Sequence, residues 1–228
     1  MKRIGFLVAV EIGALLARYG EPRERLREGG FEVLRYADET REIFAVNAGA
    51  GELAAAAATQ LLVSVFHVDL VLNYGVVGGL TEEMKLARCC VVERVVHYDF
   101  DASAWQGWEP GRYAAYPSPC IPVTPALVKK AREIAPELRA VKCASADKFV
   151  AAAADKRALH ERWGADICEM EAAGIVLTCN RAGIPCLLIK TVSDGITGGA
   201  AEFQREMDRS AALALELADK ILRELETL

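Results

Sequence analysis

Two glutamates stand in an otherwise apolar part of the sequence, in the segment CEMEAAG. Glu169 and Glu171 belong to residues 165–179, which are mostly apolar. A carboxylate taken out of water without a partner costs several kcal/mol, so this pair needs a specific role. On an extended strand end, residues two apart point to one face, and a carboxylate there can accept hydrogen bonds from two neighbouring sugar hydroxyls while Met170 packs on the sugar. The alternative is that both are first-turn acids favoured by the helix dipole.

A third acid closes another apolar run, in the segment IKTVSDGITGG. Asp194 follows the run and precedes a glycine-bearing turn. We expect partial burial to raise the pKa of this carboxyl, which would suit a general acid. The alternative is that Asp194 only caps a turn or helix, a common role for Ser-Asp pairs such as Ser193 and Asp194.

Apolar runs alternate with helical patterns along the chain and predict the elements that carry these acids. We predict strands at residues 3–10, 30–37, 41–48, 68–77, 89–100, 138–146, 165–170 and 185–194. Helices are predicted at residues 51–66, 126–135, 152–163, 171–183 and 202–228, and a long loop at 101–122. This order predicts one α/β domain over residues 1–228, three-layered (α/β/α), with a central mixed, mainly parallel sheet.

Ligands of such sheets bind beyond the carboxyl ends of the strands. Polar residues stand at several of these predicted ends, namely Glu11 after the first strand, Asn73 after VDLVL, Ser145 to Asp147 after LRAVKCA, Glu169 and Glu171 after ADIC, and Ser193 and Asp194 after CLLIKTV. We therefore expect one site at this edge of the sheet.

Composition excludes several classes of function. The chain has 228 residues and a net charge of -5 without a basic stripe, so no nucleic-acid partner is expected. No apolar run reaches the roughly 18 to 20 residues needed to span a bilayer, and a cytoplasmic location is expected. Seven cysteines without a CxxC pair, together with three histidines, predict reduced thiols and no metal site. The glycine turns AGAGE and YGVVGG lack the GxGxxG pattern, so no cofactor is expected.

Seven segments carry a resemblance to a known family over nearly the whole chain. They are KRIGFLVAVE, AGAGELAAA, VDLVLNYGVVGGL, HYDFDASAW, SADKFV, CEMEAAG and IKTVSD. In this order they resemble the nucleoside phosphorylase and nucleosidase superfamily, and within it most of all the 5′-methylthioadenosine/S-adenosylhomocysteine nucleosidases.

The resemblance implies a role for each matching residue. Asp194 would protonate the purine at N7, with Ser193 orienting it. Phe149 would stack on the base, and the backbone of Val150 would read the base edge.

The ribose would lie against Met170 and Glu171, with Glu171 holding the vicinal hydroxyls. Glu169 also matches a family carboxylate, whose role the resemblance leaves less defined. Cleavage of an N-riboside passes through an oxocarbenium-like state, which an acid at the base and an anion near the sugar both stabilise.

One part of the site departs from the family pattern. In an ungapped alignment, Gly13 stands where the family has the glutamate that activates water, and Glu11 lies two residues earlier. Val76 replaces a Ser or Thr, and Lys190 replaces an Arg. We expect a shift of the loop to make Glu11 the base; the alternatives are Glu169 and Asp99.

These observations predict a nucleosidase that releases adenine from an adenosine-type nucleoside such as 5′-methylthioadenosine or S-adenosylhomocysteine. The alternatives are a purine nucleoside phosphorylase and a catalytically impaired purine-nucleoside-binding protein, and a futalosine-like substrate also stays open. The family further implies a homodimer or higher homo-oligomer. Tyr98, Trp105 and Phe203 are candidates to line the pocket for the 5′ group.

Overall fold

Ten strands and seven helices alternate along residues 2–226, the part of the chain that the computed structural model describes. The strands are β1 (Lys2–Val8), β2 (Glu24–Glu28), β3 (Phe31–Ala37), β4 (Arg41–Asn47), β5 (Leu70–Gly79), β6 (Cys89–His97), β7 (Ile121–Pro122), β8 (Arg139–Ser145), β9 (Ile167–Glu169) and β10 (Cys186–Asp194). The helices are α1 (Ile12–Tyr19), α2 (Glu52–Ser64), α3 (Ser103–Gln106), α4 (Pro125–Ile134), α5 (Ala153–Trp163), α6 (Ala172–Ala182) and α7 (Gly199–Glu226).

All ten strands belong to one mixed sheet. Its order is β10-β6-β8-β9-β5-β1-β4-β3-β2, with β7 paired to β6. Strand β10 also pairs with β5, so that β5, β10, β6, β8 and β9 form a closed ring. Parallel pairs join β1 to β4 and β5, β5 to β10, and β8 to β6 and β9. The parallel strands thus lie at the centre of the sheet, and several of their carboxyl ends meet.

Helices cover both faces of this sheet. Helices α2 and α6 pack against each other, and α7 packs on β5, β10 and α1. The central strands are largely buried, and in β10 every residue is buried, because a sheet covered on both faces has no solvent-facing side. The predicted α/β class with helices on both sides of a mixed sheet is confirmed.

Most predicted elements are present, with ends moved by a few residues. The hairpin of β3 and β4 is antiparallel, as predicted, and residues 227 and 228 of the last predicted helix lie outside the described residues. Four elements were not predicted, namely α1, β2, α3 and β7. Helix α1 has only eight residues, and β2 is a charged strand, ERLRE, whose extended conformation depends on pairing with β3. The predicted loop at 101–122 contains the short elements α3 and β7.

The described part of the chain contains no helix that combines the length and the apolar character needed to cross a membrane. The prediction of a single domain over residues 1–228 stays a prediction.

Two glycines make a matched test of the packing beside the site. A Cβ at Gly79, in β5, would overlap the backbone oxygen of Met84, whereas a Cβ at Gly13, in α1, would meet nothing within 4 Å. We expect Gly79→Ala to lower the free energy of unfolding by about 2 to 4 kcal/mol, because backbone must move to make room. Gly13→Ala should raise it by about 0.5 to 1 kcal/mol, since alanine is the better helix former. Urea unfolding measures both, and equal stability of the two variants would contradict this description of β5.

Candidate active site

A largely apolar cavity of about 350 Å³ lies at the carboxyl ends of the central strands. Its lining brings together nine of the ten predicted site residues: Glu11, Val76, Phe149, Val150, Glu169, Met170, Glu171, Ser193 and Asp194. Others in the lining that the sequence did not single out include Val10, Lys148, Cys168 and Met207. The cavity is therefore a ligand site of the kind that α/β sheets form at this edge.

Asp194 ends β10 and is buried between two partners. Its Oδ2 accepts a hydrogen bond from Nζ of Lys156 at 2.5 Å, and its Oδ1 accepts one from the hydroxyl of Ser193 at 3.0 Å. Burial raises the pKa of Asp194 above its ordinary value, while Lys156 and Ser193 act in the opposite direction. Asp194 is thus a buried carboxyl with one ionic partner, placed at the wall of the cavity.

Glu11 lies between β1 and α1 and is held by backbone amides. The N–H of Val76 donates to its Oε1 and the N–H of Val10 to its Oε2, both at 3.0 Å. The missing side chain of Gly75 makes room for it, because a Cβ there would lie 2.8 Å from Oε1. The hydroxyl of Tyr74 donates to the backbone oxygen of Glu11 at 3.1 Å. The carboxylate that the sequence proposed as the base is therefore fixed in the cavity wall.

Glu169 caps the N-terminus of α6. Its carboxylate accepts hydrogen bonds from the N–H groups of Glu171 and Ala172, between 2.9 and 3.1 Å. It also pairs with Nζ of Lys190 at 3.3 Å. A helix leaves its first N–H groups without backbone partners and favours negative charge there, so Glu169 has a structural partner on two sides. Lys190 lies behind Glu169, outside the residues that line the cavity.

A chain of hydrogen bonds continues the cap from Glu169 to a carboxyl that the sequence did not single out. The hydroxyl oxygen of Ser145 lies 2.6 Å from Oε1 of Glu169, forms a short hydrogen bond with Oε1 of Glu52, and accepts the N–H of Ala173 at 3.1 Å. The N–H of Gly174 donates to the other oxygen of Glu52 at 2.5 Å. A serine has one proton to donate, so one of the two carboxyl groups beside Ser145 must itself be protonated.

Glu52 is the neutral member of this chain. Burial, followed by the charge of Glu169, raises the pKa of Glu52 to about 8. Burial alone would lower the pKa of Lys190, but Glu169, Glu171 and Glu11 raise it above its ordinary value. The cluster therefore holds an ion pair of Lys190 and Glu169, with a protonated Glu52 donating through Ser145.

Glu171 is the first residue before α6 and has a different environment from Glu169. Its Oε1 accepts the N–H of Gly51 at 3.0 Å, and the residue lines the cavity. Burial and the charge of Glu169 raise the pKa of Glu171 to about 7, against the effects of Lys190 and the Gly51 N–H. The two glutamates were expected to share one face and one site, and both line the cavity. The carboxylate of Glu169, however, caps α6, whereas that of Glu171 accepts a single backbone hydrogen bond.

Aromatic residues divide between the cavity and other places. The rings of Phe149 and Phe203 meet edge to face with centroids 5.1 Å apart, and both line the cavity. Tyr98 lines a neighbouring cavity of about 200 Å³, and Trp105 is 82% exposed. Asp99, an alternative base, pairs with Nε2 of His97 at 2.9 Å and is absent from the lining.

Sequence reasoning missed two buried partners of the site, Glu52 and Lys156. Ser145 was among the polar residues noted at the predicted strand ends, but its position between two carboxyl groups was not predicted. Lys156 stands in the charged run ADKRA, where nothing in the sequence separates a buried lysine from an exposed one. Among residues 2–226, no group of three or more His, Cys, Asp or Glu side chains is arranged to hold a metal ion.

The sequence profile of the phosphorylase superfamily matches residues 3–225. The chain belongs to this superfamily. It is 30% identical over 160 residues to the 5′-methylthioadenosine/S-adenosylhomocysteine nucleosidase of Shewanella sp. (strain MR-7), covering 68% of this chain and 67% of that relative. It is 27% identical over 232 residues to the aminodeoxyfutalosine nucleosidase of Helicobacter pylori (strain J99), covering 99% of this chain and 100% of that relative.

A solved structure supports the same relationship. The chain of Helicobacter pylori 5′-methylthioadenosine/S-adenosylhomocysteine nucleosidase, in complex with a 4-aminopyrrolopyrimidine pyrrolidinol ligand, superposes with a TM-score of 0.92 at 26% identity, over 98% of both chains. These superfamily relatives are N-ribosyl hydrolases, and the chain is a nucleosidase of their type.

Glu52 and Glu169, the two carboxyl groups that share Ser145, should affect the free energy of unfolding differently when each is replaced by glutamine. In the folded chain Glu52 keeps its proton up to about pH 8, whereas the ordinary pKa of a glutamate, which applies to the unfolded chain, is 4.5. The folded state thus binds one more proton between these values, so the free energy of unfolding should fall as pH rises, by up to about 1.4 kcal/mol per pH unit from this group. Glu52→Gln, which mimics a neutral acid, should remove this slope and be the more stable protein near pH 8.

Glu169→Gln is the matched control in the same cluster. It leaves the Lys190 ammonium without its ion-pair partner and should cost roughly 3 kcal/mol or more at pH 7. Urea unfolding between pH 5 and 8 measures both variants. A pH slope in Glu52→Gln equal to that of the wild type would contradict a protonated Glu52.

Proposed function

We propose that the protein hydrolyses the N-glycosidic bond of an adenosine-type nucleoside, such as 5′-methylthioadenosine or S-adenosylhomocysteine, and releases adenine. The observation that carries the proposal is that one apolar cavity is lined by four carboxyl residues: Glu169, which caps α6, and Glu11, Glu171 and Asp194, each held by different partners. Hydrolysis of an N-riboside needs one group at the base, one at the sugar and one at the water.

The base and the sugar would lie between Asp194 and Glu171. Asp194 protonates N7 of the purine as the bond to C1′ breaks, which keeps charge from building up on the leaving group. Phe149, edge to face with Phe203, offers the surface on which the base stacks. The anionic form of Glu171 accepts hydrogen bonds from the ribose hydroxyls and stabilises the positive charge that develops on the sugar.

Water is the nucleophile that the charges of the cavity favour. Glu11, fixed by the N–H groups of Val76 and Val10, accepts the proton that water loses as it attacks C1′. Among the described residues of the lining, Lys148 is the only cation, and its ammonium pairs with Asp155 at 3.6 Å. A phosphate dianion would meet four carboxyl groups in the lining without a guanidinium to bind it, which supports hydrolysis over phosphorolysis.

The 5′ substituent would extend toward the apolar part of the lining. Phe203, Met207 and Val10 lie there, and a thioether or an alkyl chain can be buried against such residues without loss of hydrogen bonds. An aminodeoxyfutalosine-type nucleoside is a second candidate, because the Helicobacter pylori relative of that name is similar over the whole chain.

A homodimer or higher homo-oligomer and a cytoplasmic location complete the proposal. Several large apolar side chains are exposed, including Leu53 at 83%, and two of them, Val10 and Phe149, border the cavity. Apolar side chains exposed at the border of the cavity support association with another protein surface. Seven free cysteines, five of them buried, fit a reducing compartment.

An assay with and without phosphate tests the reaction. We expect release of adenine from 5′-methylthioadenosine without phosphate, because water can serve as the nucleophile, and little release of hypoxanthine from inosine. Free base is measured by chromatography, with S-adenosylhomocysteine and aminodeoxyfutalosine as further substrates. Base release that requires phosphate would overturn the hydrolase, and release from aminodeoxyfutalosine alone would reassign the substrate.

Substitution of the two proposed catalytic acids tests their roles. Asp194→Asn and Glu11→Gln should each lower kcat/KM on the order of a hundredfold to ten-thousandfold, because each removes a proton transfer. Asp99→Asn is the control, since Asp99 pairs with His97 outside the cavity, and it should retain near wild-type activity. Full activity of Glu11→Gln together with a large loss in Asp99→Asn would move the base to Asp99.

A further inference from the structure

Lys156 is buried on a helix whose neighbouring side chains are exposed. It has 0% exposure in α5, whereas Asp155 and Arg157 on either side of it are exposed. A lysine is almost never fully buried unless it is paired. Its side chain therefore has a specific partner that holds it inside the protein.

Three oxygen atoms surround the Lys156 nitrogen. Nζ donates to Oδ2 of Asp194 at 2.5 Å, to the backbone oxygen of Asp194 at 3.3 Å and to the backbone oxygen of Gly195 at 2.7 Å. An ammonium has three N–H donors for three acceptors. A neutral amine has two, and its lone pair would face an oxygen. The contacts thus identify Lys156 as a cation and Asp194 as the carboxylate that balances it.

Other titratable groups around this pair leave that assignment unchanged. Cys168 approaches from β9, and burial raises the pKa of its thiol to about 12. Glu202 approaches from α7, where its Oε2 accepts the N–H of Gly195 at 2.8 Å. Ser193 donates to Asp194 from the preceding position. The carboxyl group in direct contact with Lys156 is that of Asp194.

A carboxylate is the wrong form for an acid, so the proton for the purine needs a source. We propose that Lys156 is a positioning residue for the glycosidic cleavage: it holds Asp194 in place and stores the proton that Asp194 passes to N7. This inference rests on the proposed function, because it concerns the acid of that reaction. Nothing else in direct contact with the Asp194 carboxyl is charged, which makes Lys156 the group that sets its charge.

The step balances within the site. The C1′–N9 bond breaks and its electron pair moves into the purine, while a water oxygen bonds to C1′ and gives a proton to Glu11. One N–H bond of Lys156 breaks and one N7–H bond forms, with the carboxyl of Asp194 carrying the proton between them. Lys156 is left as a neutral amine, and a proton that leaves Glu11 through solvent restores the ammonium after the products depart.

The pH dependence of Lys156→Met tests this role. Without the ammonium, Asp194 must carry its own proton, which it holds at low pH and loses as pH rises through its raised pKa. The ratio of kcat/KM between variant and wild type should lie within about threefold of one at low pH. Above the pKa of Asp194 it should fall by about tenfold per pH unit. A purely structural role would instead lower the ratio equally at every pH.

A second measurement reads the charge of Asp194 without substrate. The infrared band of a protonated carboxyl is assigned to Asp194 by subtracting the spectrum of the matching Asp194→Asn protein. At neutral pH we expect this band in Lys156→Met and no such band in the wild type. A protonated Asp194 in the wild-type protein would overturn the proposal even if no variant can be studied.

Arg157→Met is the control, because it removes a cation of similar length from the same helix at an exposed position. It should leave both the pH ratio and the infrared spectrum unchanged. If Lys156→Met fails to fold, judged by circular dichroism, Lys156→Gln serves in its place. Absence of wild-type activity on any of the nucleosides would refute the proposed function alone, since the infrared result still decides the charge on Asp194. A ratio that stays constant across pH would overturn the storage of the proton.

Discussion

The capping of α6 by Glu169 is the interaction on which the arrangement of the site depends. This one carboxylate binds the first N–H groups of α6, the ammonium of Lys190 on β10 and, through Ser145, the end of β8. It thereby fixes the helix whose preceding residue, Glu171, faces the cavity. Removing a charge from water is costly, and that cost is offset here because the polar contacts of Glu169 join three elements, α6, β8 and β10.

The protonation states of the buried glutamates follow from how closely their carboxyl groups are packed together. Burial, together with the charge of the nearby Glu169, raises the pKa values of Glu52 and Glu171, and Lys190 is the buried cation of the cluster. Since one cation cannot balance three carboxylates in a region of low dielectric, at least one of them stays neutral. Neutral Glu52 and charged Glu169 have distinct tasks that their hydrogen bonds explain, and Glu171 is left near its point of half-protonation at neutral pH. The same cluster of ionisable groups therefore caps α6 and lines the cavity.

Much of this could be predicted from the sequence, because strands that are buried on both faces leave long apolar runs and polar residues stand out at their ends. That signal located Asp194, Glu171 and the pairing of β3 with β4. It did not resolve the role of Glu169, for which sugar binding and capping were both open, because residue spacing alone does not show which N–H groups a carboxylate will meet. Lys156 and Glu52 were out of reach for a similar reason: each stands in a polar or alanine-rich helical segment, and its burial is decided by elements distant in sequence.

Helix α1 and strand β2 show the same limit at the level of the fold. Strand β2 has the charged sequence ERLRE and is extended because β3 pairs with it, so its own residues carry little information about its conformation. Lys190 occupies a position where the resemblance implies an arginine. Its ammonium pairs with Glu169 and does not line the cavity. A guanidinium, with five donors, could bind Glu169 and a group in the cavity at once.

The anchor of Glu11 is a backbone amide, that of Val76, opposite a glycine that leaves the space open. A main-chain donor is the same whatever side chain its residue carries. Position 76 can therefore carry an isopropyl group in place of a hydroxyl without loss of the hydrogen bond to the Glu11 carboxylate. The orientation of this carboxylate thus tolerates a change of side chain at position 76.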